Sequence, residues 1–110
     1  MHELSLAESI VAIASEHAAG RQVIRVELKA GRLRQVVPSA LVFAFALVAK
    51  GTPLEGAELA IEEVGVVGQC SACGEETALE AFPFACGGCG GLDLELLRGE
   101  ELLVDALELA

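Results

Sequence analysis

The chain has 110 residues, 54% of them hydrophobic, enough for one small globular unit and an attached module too small to bury a core of its own. Its formal charge of −10 is uneven, with six Lys/Arg against four Asp/Glu in residues 1–50 and one against thirteen in residues 51–110; that acidic half repels phosphate backbones, and with no Trp or Tyr there are no stacking platforms, so a nucleic-acid role is excluded. The longest apolar run, Ala40 to Ala49, is half a membrane span, and no charged start with apolar stretch and cleavage site marks export, so the expectation is a soluble cytosolic chain with no membrane partner.

The sequence opens Met1-His2-Glu3. A free terminal amine, the amide nitrogen of the second residue and its imidazole can close on one ion, with Glu3 adding an amide nitrogen or a carboxylate. That square-planar nitrogen set suits nickel(II) or copper(II) better than zinc. Any histidine at position two has this potential, and taken alone the terminus reads as solvated and frayed. Leu6, Ile10, Ile13 and His17 then recur at helical spacing and Gly20 can end the turn, which predicts an amphipathic helix over residues 4–19 with a half-buried His17.

Arg25, Glu27 and Lys29 alternate with Ile24, Val26, Leu28 and Ala30, the pattern of a half-buried strand. Pro38 can occupy the first turn of a second helix that ends at Lys50-Gly51. Leu41 to Ala49 is apolar nearly all round, so this helix is buried on more than one side, or its outer face with Val42, Phe45 and Ala49 meets a partner chain. From Ala57 the text reads as strand, through Leu59, Ile61, Val66 and Val67 into Cys70, with a glycine-marked boundary near Gly65 to Gly68. Two more strands follow, Leu92 to Arg98 and Leu102 to Leu109, and Arg98-Gly99-Glu100 supplies the turn that lets the last strand return to the sheet of the first half.

All four cysteines lie in two short knuckles, Cys70-Ser-Ala-Cys73-Gly and Cys86-Gly-Gly-Cys89-Gly. Two thiolates separated by two residues grip one ion from a tight turn, and the glycine after each pair lets the backbone fold back so that amides approach sulfur. The twelve residues between the knuckles suffice for a strand out and back, as in a zinc ribbon, and the expectation is a closed four-thiolate site. A disulfide framework lacks an export signal, and a redox dithiol needs one pair at a helix start rather than two equivalent pairs in glycine-rich loops. Ligand type alone does not separate zinc from a single iron of the rubredoxin kind. Either way, four sulfurs leave no open coordination position.

Nothing offers a seat for catalysis. The Glu pairs at 62–63, 75–76 and 100–101 would point to opposite faces of a strand and cannot share a substrate atom, and no nucleotide-cradling loop is present. The acidic half fits a basic partner surface or metal cations, and equally fits solvated strand faces that keep a hydrophobic chain soluble.

The opening MHELSLAESI, the segment ALVFAFALVAKGTPLEGAELAIEEV, and CSACG followed after twelve residues by CGGCG resemble the HypA/HybF family of nickel-hydrogenase maturation factors nearly end to end. The specificity lies in the combination of an MHE start with a downstream double knuckle. The resemblance implies a metallochaperone, not an enzyme, that delivers nickel to the large subunit of a [NiFe]-hydrogenase with a HypB-like GTPase, in some bacteria also serving urease, as monomer or homodimer. It implies nickel at Met1, His2 and Glu3, and structural zinc at Cys70, Cys73, Cys86 and Cys89. It implies an α+β fold: a nickel domain of two helices on a small sheet, residues 1–66 plus 101–110, joined to a zinc-ribbon-like domain, residues 67–100. The chain departs from some members in having only His2 and His17, so no further histidine is on hand for either metal shell. A zinc-ribbon interaction module and a rubredoxin-like iron carrier are the alternatives.

Overall fold

The computed structural model describes residues 2–80 and 83–110, and the His2 side chain lies outside the described set. The elements run α1 (His2–Ala18), β1 (Val23–Gly31), a 3-10 turn (Arg32–Arg34), α2 (Pro38–Val48), β2 (Glu58–Val64), β3 (Val67–Cys70), β4 (Glu76–Ala78), β5 (Leu94–Arg98) and β6 (Leu102–Leu109). The strands form two three-stranded sheets, ordered β2-β1-β6 and β4-β3-β5. This α+β arrangement of two helices and small sheets is the expected one, and β6 does return to the sheet that contains β1. By contacts the chain divides into two compact units: Met1–Lys29, Val36–Glu62 and Leu103–Ala110 form the first, Ala30–Gln35 and Glu63–Leu102 the second.

The first unit owes its core to the two helices and the inner face of β1. On α1 the buried positions are Ala7, Ile10, Val11, Ala14 and Ala18, none more than 6% exposed. Positions 7, 10, 11, 14 and 18 recur at i, i+3, i+4, i+7 and i+11 and form one helical stripe, and alanine at three of the five brings the backbone close to what it packs on. The stripe is rotated from the one read off the large side chains. Ile13 is 46% exposed and His17, taken for half-buried, is exposed, with its Nδ1 2.9 Å from the Ile13 carbonyl oxygen. Alanines carry little weight in a hydrophobic pattern, yet Ala7, Ala14 and Ala18 lie on the packed face.

Helix α2 begins with Pro38 at its first position, where the missing N–H costs nothing, and ends near Gly51, whose φ is +78°. Its phase also differs from expectation. Phe45 and Ala49, assigned to an outer face, are 2% and 1% exposed, and the solvent-facing side carries Val42, Phe43, Ala46 and Leu47 instead. An almost wholly apolar helix has no polar face to betray its orientation. On β1, Val26, Leu28 and Ala30 are buried as the alternation requires, but at the strand start Val23 is buried and Ile24 is half-exposed. The outer face carries charge paired with charge: Arg25 bonds Glu58 at 2.7 Å, and Lys29 stands 4.0 Å from Asp105.

In the second unit β3 is central and antiparallel to both neighbours, with Gly68 opposite Thr77 on β4 and Cys70 opposite Leu94 on β5. A bulge between Val67 and Gly68 shifts the β5 register. Strand β4 fills part of the segment that was expected to run out and back between the knuckles. The loop that follows β1 lies along the turn between β5 and β6: Leu33 N–H donates to the Gly99 carbonyl at 2.9 Å and Arg34 Nε to the Glu100 carbonyl at 2.7 Å. Gly99, with φ +116°, makes that turn as anticipated. The Glu101 carboxylate closes the same turn by accepting the Gly99 N–H at 2.6 Å.

Candidate metal centres

The two knuckles fold as repeats of one device. Gly74 N–H donates to the Cys70 carbonyl at 2.8 Å, and Gly90 N–H to the Cys86 carbonyl at 2.9 Å; Cys70 N–H donates to the Glu75 carbonyl at 2.9 Å, and Cys86 N–H to the Gly91 carbonyl at 2.8 Å. Gly74 and Gly90 hold φ of +79° and +74°, a left-handed conformation that costs glycine nothing and would strain any other residue here. In each knuckle the first cysteine is buried and the second exposed. The chain thus builds the same turn twice, four and five residues after each leading cysteine.

The turns bring all four sulfurs together, every pair within 4.8 Å, with Cys70 Sγ 3.6 Å from Cys89 Sγ and Cys73 Sγ 3.6 Å from Cys86 Sγ. All four are free thiols rather than disulfides. A tetrahedron with metal–sulfur bonds of about 2.3 Å has edges of about 3.8 Å, so the donor set fits a zinc-sized ion with little movement. The backbone also favours thiolate. Gly88 and Cys89 N–H groups point at Cys86 Sγ at 3.4 and 3.5 Å.

These bonds divide the four thiols. The N–H groups of Cys89 and Gly88 lead in bringing the Cys86 pKa down to about 6, and those of Cys73 and Ala72 lower Cys70 likewise. Cys73 goes up to about 12: the Glu75 backbone bond works against the rise but is outweighed by the negative charge of Cys86, burial, and the other two sulfurs. Cys89 is raised too, its Gly91 bond outweighed by Cys70 and Cys86. Four sulfurs this close cannot all ionise without a cation among them; a divalent ion is the partner that lets them.

The second unit has few buried apolar residues besides the cysteines. Its buried apolar residues, among those described, are Ala30, Val66, Cys70, Leu79 and Cys86, so two of five are cysteines of the cluster. A core this small does not hold a fold without a staple.

At the other candidate site, Met1 and the His2 side chain lie outside the described residues. His2 and Glu3 open α1. They are the first residues of the helix, where its macrodipole is positive. The Glu3 carboxylate accepts the Val37 N–H at 3.3 Å, tying the start of α1 to the residue that precedes α2. Sequence reading missed this contact, and no pattern could have revealed it across 34 residues. It also missed Thr77 and Glu75 beside the second knuckle: Thr77 Oγ1 accepts the Gly87 N–H at 3.0 Å, and the Glu75 carboxylate lies over the Cα of Gly88. No helix among the described residues is long and apolar enough to cross a membrane.

Known proteins share this architecture. A family model described as hydrogenase/urease nickel incorporation, metallochaperone, HypA matches residues 1–109. A hydrogenase maturation factor HypA from a Geobacter species is 47% identical over 109 residues, spanning 99% of this chain and 99% of the relative. Another from a Nostoc species is 45% identical over 108 residues, 98% of this chain and 95% of the relative. The solution structure of a HypA protein superposes over 100% of this chain and 97% of its own with TM-score 0.75 at 25% identity. That of the nickel metallochaperone HypA from Helicobacter pylori does so over 99% and 97% with TM-score 0.72 at 25% identity.

Proposed function

The chain belongs to the HypA family of hydrogenase/urease nickel-incorporation metallochaperones, and from that membership we propose that its N-terminus is the nickel site and its four cysteines hold structural zinc. It is a maturation factor and not an enzyme. Nickel is its cargo. The Met1 amine, the His2 imidazole and the amide nitrogens of His2 and Glu3 bind it at the start of α1.

One observation carries the division of labour between the sites: the four-sulfur cluster is complete, with all its ligands converged, and so leaves no open position for an ion that must be passed on. An exchangeable ion needs few ligands and solvent access, which a chain terminus supplies. Helix geometry supports the choice. Amides at a helix N-terminus that deprotonate to bind nickel place their negative charge at the positive end of the helix dipole.

The zinc-bearing segment, residues 67–100, works as a rigid clamp, and residues 1–66 with 101–110 form the nickel domain. The chain acts in the cytoplasm, as monomer or homodimer, with a HypB-like GTPase and the hydrogenase large subunit, and in hosts with urease also with that enzyme's maturation machinery.

Calorimetric titration of nickel into zinc-loaded protein with a free native amine tests the proposal. One nickel should bind the parent and none His2→Ala. Binding that survives the substitution rejects the terminus and leaves a zinc-stabilised interaction module. Iron in the four-cysteine site of the protein as isolated, visible as a red colour, rejects the zinc assignment.

A further inference from the structure

The two knuckles are separated by twelve residues, yet their four sulfurs must hold positions within a few tenths of an ångström. The first knuckle is set by the β3–β4 hairpin: Cys70 ends β3, and β4 pairs back with Gln69 opposite Glu76 and Gly68 opposite Thr77. The second knuckle, Cys86 to Cys89, belongs to no strand. Its own bonds close the turn but do not orient it towards the first.

A side chain on β4 does. Thr77 Oγ1 accepts the N–H of Gly87, the residue directly after the ligand Cys86, at 3.0 Å. The fit is close: a Cβ added to Gly87 would meet Thr77 Cγ2 at 3.3 Å and Oγ1 at 3.4 Å, so the glycine lets the turn approach the strand. Next to it the Glu75 carboxylate covers Gly88, whose own N–H points at Cys86 Sγ. The peptide that carries the Gly87 N–H is the one that follows Cys86, and rotating it would move the amides that stabilise the Cys86 thiolate.

We propose that Thr77 is a positioning residue for the metal centre, its hydroxyl fixing the second knuckle onto the hairpin that carries the first. The inference rests on the reading that the four cysteines hold zinc. Groups outside the coordination shell that orient ligands are worth about 10–100-fold in metal affinity. Gly87 is exposed, and water replaces a lost acceptor there, so the lower end of that range applies.

The test compares zinc-loaded parent with Thr77→Val, which keeps the shape and loses the acceptor, and Thr77→Ser, which restores it. Zinc release to a chromogenic chelator should be about tenfold faster for Thr77→Val and within about twofold of the parent for Thr77→Ser. Hydrogen exchange at the Gly87 amide should be slow in parent and Thr77→Ser and fast in Thr77→Val. The cobalt-substituted proteins should share one tetrahedral sulfur spectrum, which shows that the ligand set itself is unchanged.

Equal release rates for parent and Thr77→Val overturn the proposal. If Thr77→Val does not fold, an unprotected Gly87 amide in the parent overturns it, as does parent-like release from a Thr77→Ser protein that leaves that amide unprotected. A parent that retains no zinc at all refutes the zinc reading and the proposal with it, a result distinct from equal release rates.

Discussion

Gly31, at the end of β1, passes so close to Gly99 that a Cβ on Gly31 would fall on the Gly99 carbonyl group. At the same place Gly31 N–H donates to the Glu101 carbonyl at 2.6 Å. The obstruction is backbone on both sides, so no rotamer change relieves it. Gly31→Ala should destabilise the protein by about 2–3 kcal/mol, as over-packing of tight sites does. Gly65→Ala, with nothing within 4 Å and no left-handed φ, should stay within about 0.5 kcal/mol of the parent. Denaturant melts of the two variants check both.

The Glu101 carboxylate gives the second unit a pH dependence with a definite sign. Its own backbone N–H, then that of Gly99, then others hold its pKa below the ordinary 4.5. A carboxylate depressed in the folded state stabilises the fold above its unfolded pKa, and that contribution is lost as pH falls through the folded value. Glu101→Gln should therefore be less stable than the parent at pH 7, and the gap should close as pH is taken below 4.5. Thermal melts of both proteins across that window measure it; a gap that does not change with pH removes the charge from the account.

Metal binding should expel protons. At pH 7.5 Cys73, pushed up to about 12, and Cys89, also raised, are protonated, and Cys86, at about 6, is ionised. Zinc must displace the remaining protons, so its apparent affinity should rise with pH and fall steeply as pH drops through about 6. Calorimetry in buffers of different ionisation enthalpy counts the protons released. Cys86→Ser should lose the ion and with it the ordered β4-β3-β5 sheet, seen as loss of amide dispersion across residues 66–99.

The helix phases found here make opposite forecasts for two neighbouring aromatics on α2. Phe45 is 2% exposed and Phe43 68%. Phe45→Ala should cost about 3–5 kcal/mol, the usual price of emptying an aromatic site. Phe43→Ala should change stability by less than about 0.5 kcal/mol. Zinc content should stay unchanged in both, since both residues belong to the first unit. Denaturant melts with metal analysis decide; equal losses would overturn the assigned phase.

Local chemistry was legible in the sequence. Two Cys-x-x-Cys-Gly knuckles specify their own turns through bonds four and five residues apart, and so the four-sulfur site could be read before any fold was known. The alternation around Val26 and Leu28, the proline at the start of α2 and the glycine turn at Gly99 are equally local signals. The faces of the two helices were not legible, because α1 packs through alanines that carry little hydrophobic signal and α2 has no polar side. The order β2-β1-β6, the Glu3 bond to Val37, the Thr77 bond to Gly87 and the contact of Gly31 with Gly99 were also decided by the tertiary structure alone. Each joins groups at least ten residues apart, where no periodicity or turn rule reaches, and only the folded chain's demand that backbones approach and polar groups find partners selects them.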